Sequence, residues 1–367
     1  MLPYGRQNIN QNDIDAVVKV LQSDFLTQGP KVIEFEENIA SYCGVKYAKT
    51  ATNGTAALHL AYLAIGLKKN DIVWTSPNTF VATANAALYC GATVDFVDID
   101  IETYNISIEA LRAKLVQAKK ENKLPKLVVP VHFAGQSCEM KDIWDLSKEY
   151  GFKVIEDASH ALGGEYLDKK VGNCEYSHMA TFSFHPVKMI TTGEGGAITT
   201  NDKDLDEKIK LLRSHGIIKN SEMLKHKTDG DWYYEQQDLG FNYRLTDIQA
   251  ALGISQLKRL DSFVEKRREI ANKYINELKN VGLPHQHLDT NSSWHLFVIK
   301  TKDRKEVFER LKNQGIMTQV HYIPVTKQPF YSHKKLENSE NFYQHCLSLP
   351  IYVDLLNEEQ LKVINNL

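Results

Sequence analysis

The chain has 367 residues, 43% hydrophobic and 25% charged, and its 44 basic and 46 acidic side chains leave a formal net charge of -2. That length calls for one large domain and a smaller one, and that balance gives no basic footprint for nucleic acid or for an anionic membrane. No stretch approaches the roughly 18 to 20 apolar residues of a membrane span, and the five cysteines are scattered without a C-x-x-C pair, which argues against a disulfide framework or a zinc site.

The opening "MLPYGRQNINQNDID" has neither a basic n-region nor an apolar h-region, so no secretory signal is read there and the cytoplasm is the expected compartment. From about Tyr47 to Thr200, apolar runs such as "DIVWT", "ATVDFVDI", "KLVVPVHF", "FKVIEDA", "MATFSF" and "GGAITT" alternate with helical stretches such as "TAALHLAYLAIGL". This alternation predicts βα units around a mostly parallel sheet, which binds ligands at the carboxyl ends of its strands. "KNSEMLKHKTDGDWYYEQQDLG", Lys219 to Gly240, is polar with an aromatic cluster and reads as an ordered excursion over a surface or site. A long helix is expected from Thr246, which forms a capping box with Gln249, through "VEKRREIANKY" toward Asn280. After "NVGLPHQ", strand-like "HLFVIK" and helix-like "EVFERLKNQG" predict a small α+β domain. The expected division is a large domain over 1–250 and a linking helix with the small domain over 251–367.

The chemistry centres on "FSFHPVKMITTGEGGA". Lys188 follows a predicted strand and a proline turn, and the glycines after it leave room for backbone and ligand to approach closely. A lone lysine is ordinarily a solvated charge; at a strand's carboxyl end it can be desolvated, and its free amine can then bond a carbonyl. Pyridoxal phosphate uses such an amine, and it also needs an acid for its pyridine nitrogen and donors for its phosphate. Asp157 of "VIEDA" ends a strand 31 residues earlier; Glu156 beside it should point the other way, because side chains alternate along a strand. Gly54 and Thr55 open a helix whose free N–H groups favour an anion, Ser183 adds a hydroxyl, and Phe80 offers a ring to stack on the cofactor.

Together, "SDFLTQGPKVIEFE", "NGTAALHLA", "SPNTFVATANA", "VVPVHFAGQ", "VIEDASHALG", "FSFHPVKMITTGEGGA", "LGFNYRLTDIQAALG" and "VHYIPV" resemble, in order and spacing, the DegT/DnrJ family of pyridoxal-phosphate sugar aminotransferases. The resemblance implies a fold-type I aminotransferase: a mostly parallel, mixed central sheet flanked by helices, with a smaller C-terminal α+β domain. It implies that Lys188 carries the cofactor and Asp157 holds its ring nitrogen. His160 would lie near the phenolic oxygen, Gly54, Thr55 and Ser183 would bind phosphate, and Phe80 would stack on the ring. Asn242 would reach a neighbouring subunit's phosphate, which makes the enzyme a homodimer. Some members carry histidine in the lysine's place and act as dehydratases; Lys188 argues against that.

Within the family, "PYGRQNI", "SDFLTQGP", "VPVHFAGQSC" and "FHPVKMITTGEGG" look most like the pseudaminic acid branch. That branch implies L-glutamate as donor and, as acceptor, the C4 ketone of a UDP-linked 4-keto-6-deoxy-N-acetylhexosamine, giving an L-altro product. The substrate-facing candidates are Tyr4, Asp24, Phe25, Leu26, Thr27, His321 and Tyr322, while Arg213 and Arg244 are candidates by charge for the donor's second carboxylate. The alternatives are an aminotransferase for another nucleotide-linked 3-keto or 4-keto sugar, or a regulator that binds the cofactor without turnover.

Overall fold

The computed structural model describes residues 1–228, 230–331 and 335–367. Two helices come first: α1 (Gln11–Leu21), which Asn10 and Asp13 cap reciprocally, and α2 (Pro30–Cys43), which starts on proline and stops at left-handed Gly44. Then βα units follow one another: β1 (Tyr47–Ala51), α3 (Gly54–Ala64), β2 (Ile72–Thr75), α4 (Val81–Tyr89), β3 (Thr93–Phe96), α5 (Ile108–Lys120), β4 (Leu127–Val129), α6 (Met140–Tyr150) and β5 (Lys153–Asp157). After the short ribbon of β6 (Glu165–Tyr166) and β7 (Lys169–Lys170) come β8 (Met179–Ser183), β9 (Gly196–Thr200) and α7 (Lys203–Leu212).

Seven of these strands form one sheet in the order β1-β9-β8-β5-β4-β2-β3. Five are parallel neighbours, and β9 runs antiparallel between β1 and β8. β4, β8 and β9 are apolar or buried along nearly their whole length because helices cover both faces. One face holds the alanine-rich α3 and α4, with α3 buried from Ala56 to Tyr62 as its all-round apolar pattern predicts. The other carries Phe35 and Ile39 of α2 against Phe182 and Phe184.

The helix expected to run unbroken from Thr246 toward Asn280 is two: α8 (Asp247–Leu257) and α9 (Leu260–Glu277), parted by a turn at Lys258 and Arg259. The capping box of Thr246 and Gln249 forms as predicted. The apolar spacing continues across the break, so periodicity alone hides it. The turn lets α8 lie against α1 and α2 while Arg259 reaches back to Asn8 and Asp13. α9 then supplies Ile270, Ala271 and Tyr274 to a separate core. That core also takes β13 (Phe297–Lys300), α10 (Arg304–Asn313), β14 (Cys346–Leu349) and α12 (Asn357–Asn365), and Leu2 from the other end of the chain. Residues 250 and 251, the expected domain boundary, lie within α8.

Residues 219–240, apart from 229, follow β10 (Ile217–Ile218), contain its antiparallel partner β11 (Glu235–Gln236) and leave Met223, Trp232 and Tyr234 exposed. The remaining elements are β12 (Thr290–Asn291), paired with β6, and α11 (Glu337–His345), whose first N–H groups the Asp98 carboxylate accepts at 2.9 and 3.0 Å. Among the described residues no helix is long and apolar enough to cross a membrane. The five cysteines are free, and all but Cys90 are buried.

Candidate active site

The carboxyl ends of β1, β2, β5 and β8 open on one cavity of about 850 Å³. Its anion-favouring end is set by Gly196, which stands opposite both Ala51 of β1 and Ser183 of β8. A Cβ on Gly196 would lie 2.6 Å from the Asn53 carbonyl oxygen and 2.9 Å from the Gly54 nitrogen, and a Cβ on Gly54 would lie 2.9 Å from Ser183 Cβ. Only glycine at both positions lets α3 begin beside the end of β8. Asn53 caps that helix through the Ala56 N–H at 2.8 Å. The first-turn amides beyond it have no partner within the helix and sit at the positive end of its dipole, with the Thr55 and Ser183 side chains at the same end of the cavity.

Past Ser183 the chain turns through Pro186, and the Lys188 N–H bonds back to the His185 carbonyl at 2.8 Å. The turn puts the Lys188 side chain into the cavity wall, where loss of water pushes its amine down to about 8, with the Asp157 carboxylate pulling the other way. Asp157 is buried at the end of β5 and is held by the hydroxyls of Thr83 and Ser159, each at 2.7 Å. Glu156 faces the opposite side of the strand, as the alternation predicts. There its carboxylate meets Ser177 Oγ at 2.5 Å and His132 Nε2 at 2.7 Å. The Cys138 N–H donates to His132 Nδ1 at 3.0 Å, so the proton of that imidazole sits on Nε2 and points at Glu156.

The wall opposite α3 is a cluster of histidines. The His160 and His295 rings lie 4.4 Å apart, both buried, and each has an Nδ1 with no partner among the described residues. Burial, and then the positive Lys188, hold His160 well below the usual imidazole range; burial and the neighbouring His160 do the same to His295, so both rings are neutral. His160 Nε2 meets the Tyr322 hydroxyl at 3.0 Å, and His321 Nδ1 meets Ser348 Oγ at 2.8 Å. Burial raises the Tyr322 phenol, which keeps its proton. Phe80, at the start of α4, stands 60% exposed at the cavity edge with its ring 6.3 Å from that of Tyr322.

The cavity thus gathers Tyr4, Gly54, Thr55, Phe80, Asp157, His160, Ser183, Lys188, His321 and Tyr322 of the residues singled out in the sequence. The others lie elsewhere. Asp24, Phe25, Leu26 and Thr27 are exposed and pack at the start of α8, where the Leu26 carbonyl accepts from Asp247. Gln249 in that helix turn bonds the carbonyl of Glu194 on the cavity rim, so the segment sits behind the rim. Asn242 is exposed beside Ser214 and does not line the cavity of its own chain. Arg213 is taken up by Glu36 and by the Thr50 carbonyl at 2.7 Å, which ties it to the fold. Arg244 lies outside the cavity as well, with its buried Nε lacking a partner among the described residues.

The sequence reading missed Thr83, Ser159, His59, Tyr89, Tyr243 and His295, all of which line the same space. Ser159, two residues from Asp157, and Thr83, three beyond Phe80, carried a local signal. His295, in "SSWHLF", carried none, because only the chain's return from the C-terminal core brings it to His160. A desolvated amine, a buried carboxylate and a helix start in one cavity can hold a carbonyl compound that bears an anion.

Comparison with known proteins agrees with that chemistry. The model of the DegT/DnrJ/EryC1/StrS aminotransferase family matches residues 7–367. A UDP-4-amino-4,6-dideoxy-N-acetyl-beta-L-altrosamine transaminase of Campylobacter jejuni is 45% identical, over 97% of this chain and 93% of its own. The structure of a Helicobacter pylori aminotransferase involved in the biosynthesis of pseudoaminic acid superposes with a TM-score of 0.91 at 35% identity, covering 100% of this chain and 97% of that one. A putative sugar aminotransferase of Streptococcus pneumoniae, in its PLP-form, reaches 0.88 at 25% identity, covering 99% and 97%. The fold is that of the fold-type I aminotransferases, and the chain is an aminotransferase that belongs to the DegT/DnrJ/EryC1/StrS family.

Proposed function

We propose that the protein transfers the amino group of L-glutamate, through pyridoxal phosphate, to the C4 ketone of a UDP-linked 4-keto-6-deoxy-N-acetylhexosamine in pseudaminic acid biosynthesis. The observation that carries the reading is the desolvated Lys188 amine in one cavity with the Asp157 carboxylate and the start of α3. The choice of sugar is supported by the 45% identity to the Campylobacter jejuni transaminase.

The residues present fit the cofactor. The tight Gly54–Ser183–Gly196 junction leaves a helix start and two hydroxyls for a phosphate, and the orphaned His160 Nδ1 is a polar atom awaiting a ligand. When bound, pyridoxal phosphate supplies an electron sink for the charge that develops at the carbon losing its proton. Lys188 would bond its aldehyde carbon and, once displaced by the donor's amine, take a proton off the donor's α-carbon and, in the second half of the reaction, deliver one to the acceptor's C4. Asp157, fixed by Thr83 and Ser159, would keep a proton on the ring nitrogen. The α3 amides, Thr55 and Ser183 would hold the phosphate, and Phe80 would cover the ring. Tyr4, His321 and Tyr322 would line the substrate side. Asn242, exposed and outside its own cavity, would serve the phosphate of a second subunit in a homodimer.

The test is amination by L-glutamate of a panel of UDP- and dTDP-linked 3-keto and 4-keto sugars, with each product identified. Preference for the UDP-linked 4-keto substrate supports the reading; preference for a dTDP-linked or 3-keto sugar overturns the specificity and leaves the chemistry. Lys188→Arg and Lys188→Ala should each lose at least about 10³-fold in kcat, within the range expected for loss of a proton-transfer group. Near-native turnover in either variant overturns the mechanism.

A further inference from the structure

The active cavity does not end at its rim. Tyr89, the last residue of α4, is 56% exposed and forms part of the wall of a second hollow of about 520 Å³. Its other walls are Val81, Asn85 and Leu88, from the same face of α4, and residues 328–331. Phe330 is 79% exposed there, its ring 5.4 Å from that of Tyr331, whose hydroxyl bonds the Asn85 side chain. Two aromatic side chains are thus held largely in solvent beside an apolar floor, with the Asn85 and Gln328 amides in the same hollow.

Size gives this hollow an occupant. Pockets for one small ligand run from about 300 to 1,000 Å³. The 850 Å³ of the main cavity is therefore on the scale of one such ligand, whereas the reaction brings a cofactor and a nucleotide-linked sugar together. With the reacting carbon near Lys188, the far end of the substrate has to leave through the rim, and Tyr89 joins that rim to the second hollow.

We propose that this hollow is the subsite for the nucleobase of the substrate, with Tyr89 and Phe330 offering ring faces and the two amides meeting the polar edge of the base. The proposal rests on the nucleotide-sugar reading above. Stacking on an aromatic face is tolerant of base identity, and amide groups add preference for a given edge pattern. Tyr89 and Phe330 bind the part of the substrate that does not react, so their loss is read directly in the affinity for UDP, a fragment without the reacting carbon.

The experiment is calorimetric titration of the cofactor-loaded enzyme with UDP alone, for the wild type, Tyr89→Ala and Phe330→Ala. Both side chains are mostly exposed, so truncation leaves the core intact. Each variant is expected to bind UDP about tenfold or more weakly, the loss that follows from removing one stacking face. Equal affinity in wild type and both variants overturns the subsite while leaving the nucleotide-sugar reading in place. An unchanged affinity with a lowered mass in sedimentation also overturns it and assigns the hollow to contact between two copies of the chain. No UDP binding by the wild type overturns the nucleotide-sugar reading, and the subsite with it.

Discussion

The Tyr322 hydroxyl stands 3.0 Å from His160 Nε2, joining a segment that follows α10 to the loop that follows β5. It is a polar tie across the cavity between the two halves of the chain, beside the bond from Ser293 Oγ to the His160 carbonyl at 2.9 Å. The Tyr322→Phe variant leaves a buried imidazole without a partner on either nitrogen. We expect a stability loss of about 1–3 kcal/mol, read by urea denaturation. In a double-mutant cycle with His160→Phe, the two losses should be clearly less than additive; additive losses would show that the tie contributes nothing.

Lys188 makes stability depend on pH in a defined direction. Its amine sits at about 8 in the fold against an ordinary 10.5, so between those values the unfolded chain holds a proton that the folded chain lacks. Stability then rises with pH in that window. For the cofactor-free protein, the stability of wild type relative to Lys188→Met should climb from about pH 8 to about pH 10.5 and be level below it. A flat difference across the window would place the amine in water.

Gly196→Ala pushes a methyl group into the Asn53 carbonyl and the Gly54 nitrogen, both backbone atoms that cannot swing aside. The expected cost is about 1–3 kcal/mol of stability from overpacking. More tellingly, pyridoxal phosphate should dissociate faster on dialysis than from a control with the same loss of stability made in the C-terminal core. Equal retention in the two would separate the junction from the phosphate.

His132→Phe strands the Glu156 carboxylate, buried with Ser177 as its remaining side-chain partner. The loss should be about 3 kcal/mol, the upper range for an abandoned buried acceptor and more than a neutral one costs, seen as a lower Tm. Because Glu156 points away from the cavity, kcat measured well below the new Tm should stay within severalfold of wild type. A collapse in kcat would mean that β5 transmits the change to Asp157.

Much of this site can be read from local pattern. Strand alternation separates Asp157 from Glu156, glycine spacing puts Lys188 beside open backbone, and the all-round apolar pattern of α3 marks it as buried. What stays hidden depends on distant chain segments meeting. No pattern in "SSWHLF" or "VHYIPV" says that His295 and Tyr322 flank the same imidazole, since 162 residues separate Tyr322 from His160. The break between α8 and α9 is hidden for a related reason: a two-residue turn barely disturbs helical period, and the force that bends the chain there is packing on α1 and α2. The outlying position of residues 24–27 follows from the start of α8, which takes up the Leu26 carbonyl.

The rung at Gly196 has one more consequence. Because it belongs to two ladders of the central sheet, the cradle at the start of α3 is completed when the sheet zips up, with or without anything to hold. A phosphate arriving there meets amides already fixed in place, so little of the chain's freedom is lost at that moment. Such a cradle should capture its cofactor quickly after folding and should protect the sheet's own amides from hydrogen exchange no better when full than when empty.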